Sequence, residues 1–140
     1  MKKHRISMGK IPALLWGETA EKLYLSVHGH GERISEADIF DPWHCIPEIA
    51  EVMQFARQGW KKIALHAVSI GAWFSMQALS GEKLENCAFV SPIVDMDQDQ
   101  IEKFAQKYSA TLTIMKDGEH WFRTLEQMAF MEQWMELYVN

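Results

Sequence analysis

Apolar and polar positions follow two periods along this chain, one near two and one near 3.6. His4–Met8 and Pro12–Trp16 are short apolar or alternating segments, and Leu23–Val27 (LYLSV) is a branched and aromatic run ending in glycines, so three early strands are predicted. The turn residues Gly17-Glu18-Thr19-Ala20 place a hairpin between the second and third of them. Ile46–Phe55 then sets Ile46, Ile49, Val52 and Met53 on one helical face with Ala56 just beyond, and Gly59 closes that helix. Lys62–Val68 (KIALHAV) is almost wholly apolar, as a parallel strand covered on both faces should be. Ser69–Ser80 reads as a helix with Gly81 past its end, Cys87–Val90 as a strand, Asp97–Tyr108 as a helix and Thr111–Met115 (TLTIM) as a strand. A final helix, Trp121–Val139, carries Trp121, Leu125, Met128, Met131, Met135 and Tyr138 at steps of three and four, widened by Phe130, Trp134 and Leu137. That stripe is expected in a core. Strand and helix in alternation predict an α/β three-layer sandwich: a mainly parallel sheet of about six strands, right-handed crossovers and helices on both faces.

With 140 residues and no linker, repeat or low-complexity run, the chain is expected to form a single domain over 1–140. A composition of 48% hydrophobic and 24% charged residues is that of a packed globular protein. The net charge of −5 argues against a nucleic-acid partner, since such domains carry basic patches. Cys45 and Cys87 are too few for a disulfide framework and read as free thiols in a reducing compartment. The basic start MKKHRISMGK leads into IPALLWG, which breaks at Gly17 and lacks a small-residue cleavage site, so no leader is expected. No stretch reaches the roughly 18 apolar residues of a membrane span. A cytoplasmic protein without membrane contact is the expectation.

The chemistry concentrates in His66-Ala67-Val68-Ser69-Ile70-Gly71-Ala72, where a buried strand turns into a helix. A serine followed two residues later by glycine matches the second half of the nucleophile elbow G-x-S-x-G, with Ala67 in place of the first glycine. At so sharp a turn the residues two before and two after the serine must be small. Ser69 fits two roles here, an exposed nucleophile or a plain N-cap. His28-Gly29-His30-Gly31 follows an early strand, where a second oxyanion donor would lie on a bending loop. Asp117-Gly118-Glu119-His120 precedes the last helix, where a general-base histidine would lie.

The segments LYLSVHGHG, LHAVSIGAWFSMQAL, CAFVSPIVDM and TIMKDGEHWF are spread between Leu23 and Phe122, and in this order they resemble the α/β-hydrolase superfamily, in particular its serine esterases and small peptidases. The resemblance implies a minimal α/β-hydrolase-like fold with Ser69 as nucleophile and His120 as general base. The backbone N–H groups of His30 and Ile70 would then form the oxyanion hole. The chain departs from the family in length. A helix and strand are missing before the elbow strand, so the hairpin would pair directly with the remaining sheet. A lid and a further strand are missing after SPIVDM, and that strand usually carries the triad acid. Asp95 is assigned that role, with Asp97 as the alternative acid; Asp117 and Glu119 stand too near His120 in the chain to orient it.

The activity so implied is hydrolysis of small esters, or amides, through an acyl-enzyme on Ser69, with no metal or other cofactor. Trp16, Trp43, Trp73 and Trp121 are candidate walls of the substrate pocket, or core residues. One alternative is a catalytically weak or inactive hydrolase-like protein that binds a ligand or partner, with the wide apolar face of the last helix favouring a homodimer. Another is a metal site using His28 and His30 with His44, His66 or Glu32, although no zinc-hydrolase signature such as H-E-x-x-H is present.

Overall fold

Met8 and Ile11 face each other across the two-residue loop Gly9-Lys10, so β1 (Lys3–Met8) and β2 (Ile11–Trp16) form an antiparallel hairpin. Gly9, at φ 63°, takes the first loop position, where type II′ hairpins place glycine. The hairpin therefore lies one strand earlier than Gly17–Ala20 suggests. This computed structural model describes residues 3–17, 20–30, 41–92, 98–107 and 109–138. The chain divides into two compact units, Met1–Pro92 and Ile93–Asn140.

In the first unit, β3 (Lys22–Val27), β4 (Lys62–Val68) and β5 (Asn86–Val90) form a parallel sheet in the order β3-β4-β5. The connections are α1 (Pro42–Gly59) and α2 (Ile70–Leu79). Helix α1 starts earlier than its apolar face predicts. The Asp41 carboxylate accepts a hydrogen bond from the His44 N–H at 2.9 Å, and Pro42 occupies the first helical position. From there Ile49, Met53 and Ala56 are buried one turn apart, on the expected face.

Strands that follow one another in order with right-handed crossovers place both helices on one side of the sheet. The core agrees: Ile49, Met53, Ala56, Phe74 and Leu79 from the helices pack with Ile63 and Leu65 of β4, against Leu23, Leu25, Val27 and Phe89. These strand residues share one face. The opposite face carries Ser26 and His66, paired across the β3–β4 register.

The expected six-stranded three-layer sandwich is thereby corrected. The described residues form a two-stranded antiparallel sheet and a separate three-stranded parallel sheet, with four helices. The hairpin does not pair with the parallel sheet, and Thr111–Met115 joins no ladder. A strand pattern records only fitness for a pleated surface; pairing depends on the neighbour. In Thr111–Met115 the Thr113 hydroxyl instead accepts a hydrogen bond from Trp134 Nε1 at 3.2 Å, while Leu112 and Ile114 are exposed.

The second unit holds α3 (Gln98–Lys107) and α4 (Leu125–Tyr138). Helix α4 begins at Leu125 rather than Trp121 because Thr124-Leu125-Glu126-Gln127 forms a capping box. The Thr124 hydroxyl accepts from the Gln127 N–H at 3.2 Å, and the Gln127 side-chain oxygen accepts from the Thr124 N–H at 3.4 Å. Gln127 is consequently the buried residue of α4, and much of the expected core stripe, including Leu125, Met128 and Tyr138, is exposed. Among the described residues no helix is long and apolar enough to cross a membrane.

Met53 is 1% exposed at the centre of the first unit's core, so Met53→Ala is expected to cost about 2–5 kcal/mol in denaturant unfolding. Ser75 tests the opposite sign. Its hydroxyl is buried in α2 without a hydrogen-bond partner among the described residues, so Ser75→Ala is expected to raise the unfolding free energy by about 1 kcal/mol. A loss of stability on that substitution would contradict this account of the core.

Candidate functional site

Ser69 is the residue at which β4 becomes α2, and it holds φ 57° and ψ −130°. That region is disfavoured for residues with a Cβ, and occupying it costs about 1–3 kcal/mol. Strain of this kind persists only where the surroundings enforce it. Here the Ser69 N–H donates to the Val90 carbonyl at 3.0 Å, fastening the turn to the end of β5. Ser69 is 2% exposed. Its side chain makes no capping hydrogen bond to α2, so the plain N-cap role does not describe it.

Two glycines allow the loop after β3 to reach this turn. A methyl group on Gly29 would stand 2.9 Å from Ser69 Cβ, 3.2 Å from the Val68 carbonyl oxygen and 3.5 Å from Ser69 Oγ. One on Gly71 would collide with the His28 carbonyl oxygen and come within 3.1 Å of the Val27 carbonyl oxygen. The small residue two places after the serine is therefore a steric requirement, and Ala67, two places before, is fully buried. Ile70 opens α2, and the first N–H groups of a helix lack an intrahelical acceptor. His30 is exposed and directly follows Gly29. Ser69, Ile70 and the glycine loop thus come together as the elbow pattern requires.

The remaining candidates belong to the second unit or lie outside the described residues. His120 belongs to the second unit, in the loop between Thr111–Met115 and α4. Two turns brace that loop: the Gly118 N–H donates to the Met115 carbonyl, and the Phe122 N–H to the Glu119 carbonyl, both at 3.2 Å. Asp117 takes φ 57° there. The Glu119 carboxylate accepts from Arg123 Nε at 3.0 Å, so it serves an ion pair with a residue four further along the loop. The His120 ring stands edge-on to Trp121, with centroids 5.1 Å apart. Asp95 and Asp97 lie outside the described residues, as does Glu32.

His28, His44 and His66 have structural partners. His28 Nδ1–H donates to the Gly29 carbonyl at 2.8 Å, which fixes the ring beside the glycine loop. His44 Nδ1–H donates to the Asp41 carboxylate at 2.8 Å, and this bond holds the Asp41 carboxyl below the usual carboxylate range. His66 Nδ1 lies 3.2 Å from the Ser26 hydroxyl. Among the described residues no three His, Cys, Asp or Glu side chains gather in ligating geometry. Burial pushes the thiols of Cys45 and Cys87 above their ordinary range, so neither has the depressed pKa of a cysteine nucleophile. Of the four tryptophans considered for a pocket wall, Trp73 packs against the core, while Trp16, Trp43 and Trp121 are exposed. The second unit also has an open groove of about 680 Å³ lined by Glu102, Ala105, Gln106, Leu112 and Ile114, among others, with no histidine in its lining.

No protein-family model matches this chain, and comparison with curated proteins and with solved structures gives no match.

If the elbow depends on close approach of the glycine loop, Gly71→Ala is expected to lower the unfolding free energy by about 1–3 kcal/mol, although alanine is the better helix former. Gly81, with nothing within 4 Å of an added methyl, is the control, and Gly81→Ala should leave stability within about 0.5 kcal/mol. Equal effects of the two substitutions in denaturant unfolding would contradict the close approach.

Proposed function

We propose that this chain is a serine hydrolase of small carboxylic esters, acting through an acyl-enzyme on Ser69, with the α/β-hydrolase resemblance of its motifs supporting that reading. The observation that carries it is the backbone of Ser69, positive in φ at a strand-to-helix turn, with a glycine loop against its side chain and a helix start beside it. A serine with no task other than capping has no need of that conformation.

In this mechanism Ser69 Oγ attacks the ester carbonyl while His120 accepts the hydroxyl proton. The backbone N–H groups of Ile70 and His30 receive the developing oxyanion, aided by the positive end of α2. Collapse expels the alcohol, which takes the proton from the imidazolium. Water, deprotonated by the same imidazole, then attacks the acyl-enzyme and releases the acid. Asp95, or Asp97 in its place, orients the histidine. The low exposure of Ser69 favours small acyl groups over long lipids. A reducing, cytoplasmic setting belongs to the same reading and accords with the free thiols of Cys45 and Cys87.

Hydrolysis of p-nitrophenyl acetate tests it. Ser69→Ala and His120→Ala are each expected to lower kcat by about a thousandfold or more, and the two together by little more than either, because the groups act as one device. Asp95→Asn or Asp97→Asn should cost less than either. Folded Ser69→Ala protein that hydrolyses the ester at the parent rate would overturn the proposal.

A further inference from the structure

The register of the β1–β2 hairpin sorts its side chains onto two faces. His4, Ile6 and Met8 lie opposite Leu15, Ala13 and Ile11 on one, and Met8 is buried. Lys3, Arg5 and Ser7 lie opposite Trp16, Leu14 and Pro12 on the other. On this second face Lys3, Arg5, Ser7, Pro12 and Trp16 are exposed, Trp16 at 63%, and Lys3 Nζ stands 5.6 Å from the Trp16 ring centroid. The first 17 residues contain four Lys or Arg and no Asp or Glu, although the whole chain is acidic. The result is an open face that is both basic and apolar.

Helix α4 carries the opposite combination. Its 14 residues include Glu126, Glu132 and Glu136 and no Lys or Arg. At helical spacing Leu125, Met128, Glu132 and Glu136 share one stripe, all four exposed, with Leu125 at 83%. Gln127, Phe130 and Trp134, on the far side, are buried or half-buried.

We infer that this chain self-associates, with the outward stripe of α4 from one copy seated on the basic face of the β1–β2 hairpin of another. The charges select this pairing, since hairpin against hairpin or α4 against α4 would oppose like charges. The spacings also agree. Lys3 and Arg5, two apart on a strand, are about 6.7 Å apart, and Glu132 and Glu136, one helical turn apart, about 6 Å. A 14-residue helix is about 21 Å long and a six-residue strand about 20 Å. Aligned in this way, Met128, one turn before Glu132, falls over Pro12, while Trp16 and Leu14, opposite Lys3 and Arg5, cover the stems of Glu136 and Glu132, and this apolar contact supplies the burial that charge alone does not. Made reciprocally, two such contacts close a dimer; made singly, they run on from copy to copy.

Sedimentation velocity of the full chain tests this. The parent's mass is expected to rise above that of a monomer with concentration and to fall back in about 0.5 M NaCl, where exposed charges are screened. K3E/R5E and E132K/E136K are each expected to weaken association at least tenfold, and an equimolar mixture of the two to recover it, because each then offers the face the other needs. Circular dichroism confirms that both variants are folded, and the parent's salt response stands if either is not. A parent that stays monomeric, an association that ignores salt, or folded variants whose mixture stays monomeric would each overturn the inference. So would a monomeric parent that pellets with phosphatidylserine vesicles, which would assign the basic face to an anionic membrane surface.

Discussion

The hydrogen bond from the Ser69 N–H to the Val90 carbonyl joins the ends of β4 and β5 where the chain leaves the sheet and enters α2. Much of the first unit follows from that junction. It sets where α2 begins, and so which of its residues, Phe74 and Leu79 among them, reach the core shared with Met53, Ile63 and Leu65. It also fixes where Gly71 meets the His28 carbonyl, which anchors the loop after β3. The strain of about 1–3 kcal/mol at Ser69 is small beside burial of the central strand, whose Ile63, Ala64, Leu65 and Ala67 are almost wholly covered. Fold and candidate chemistry thus depend on the same few backbone contacts.

What could be read from the sequence divides along local and non-local lines. The run KIALHAV shows its burial in its own composition, and the spacing of Ile49, Met53 and Ala56 shows the inward face of α1, because both signals lie within one element. The smallness of Gly71 beside Ser69 is legible from the elbow pattern, although the contact it serves, with the His28 carbonyl, is a non-local one. The sheet is not legible. TLTIM has the alternation of a strand, yet its threonine is engaged by Trp134, a partner 21 residues away that no local pattern announces. The position of the hairpin is not legible locally, because Gly17 marks a turn as clearly as Gly9 does and only pairing distinguishes them. The capping box at Thr124-Leu125-Glu126-Gln127 was visible in the sequence, and it would have corrected the start of α4.

The two units differ in how they use apolar residues. In the first, small and branched side chains fill one face of a parallel sheet under two helices. In the second, large side chains such as Leu112, Ile114, Trp121, Leu125 and Leu137 are exposed, and a glutamine is the buried residue of α4. A stripe at helical spacing shows that a face exists and leaves open what covers it.

The central claim is that Ser69 is a nucleophile made reactive by the fold. Treatment of the folded chain with a fluorophosphonate, followed by peptide mass spectrometry, addresses it directly. The account predicts a phosphonyl adduct on the peptide containing Ser69, and none after the chain is unfolded in denaturant, where the strained turn and its N–H groups are lost. An unmodified Ser69 in folded protein, or equal labelling of folded and unfolded chains, would contradict it.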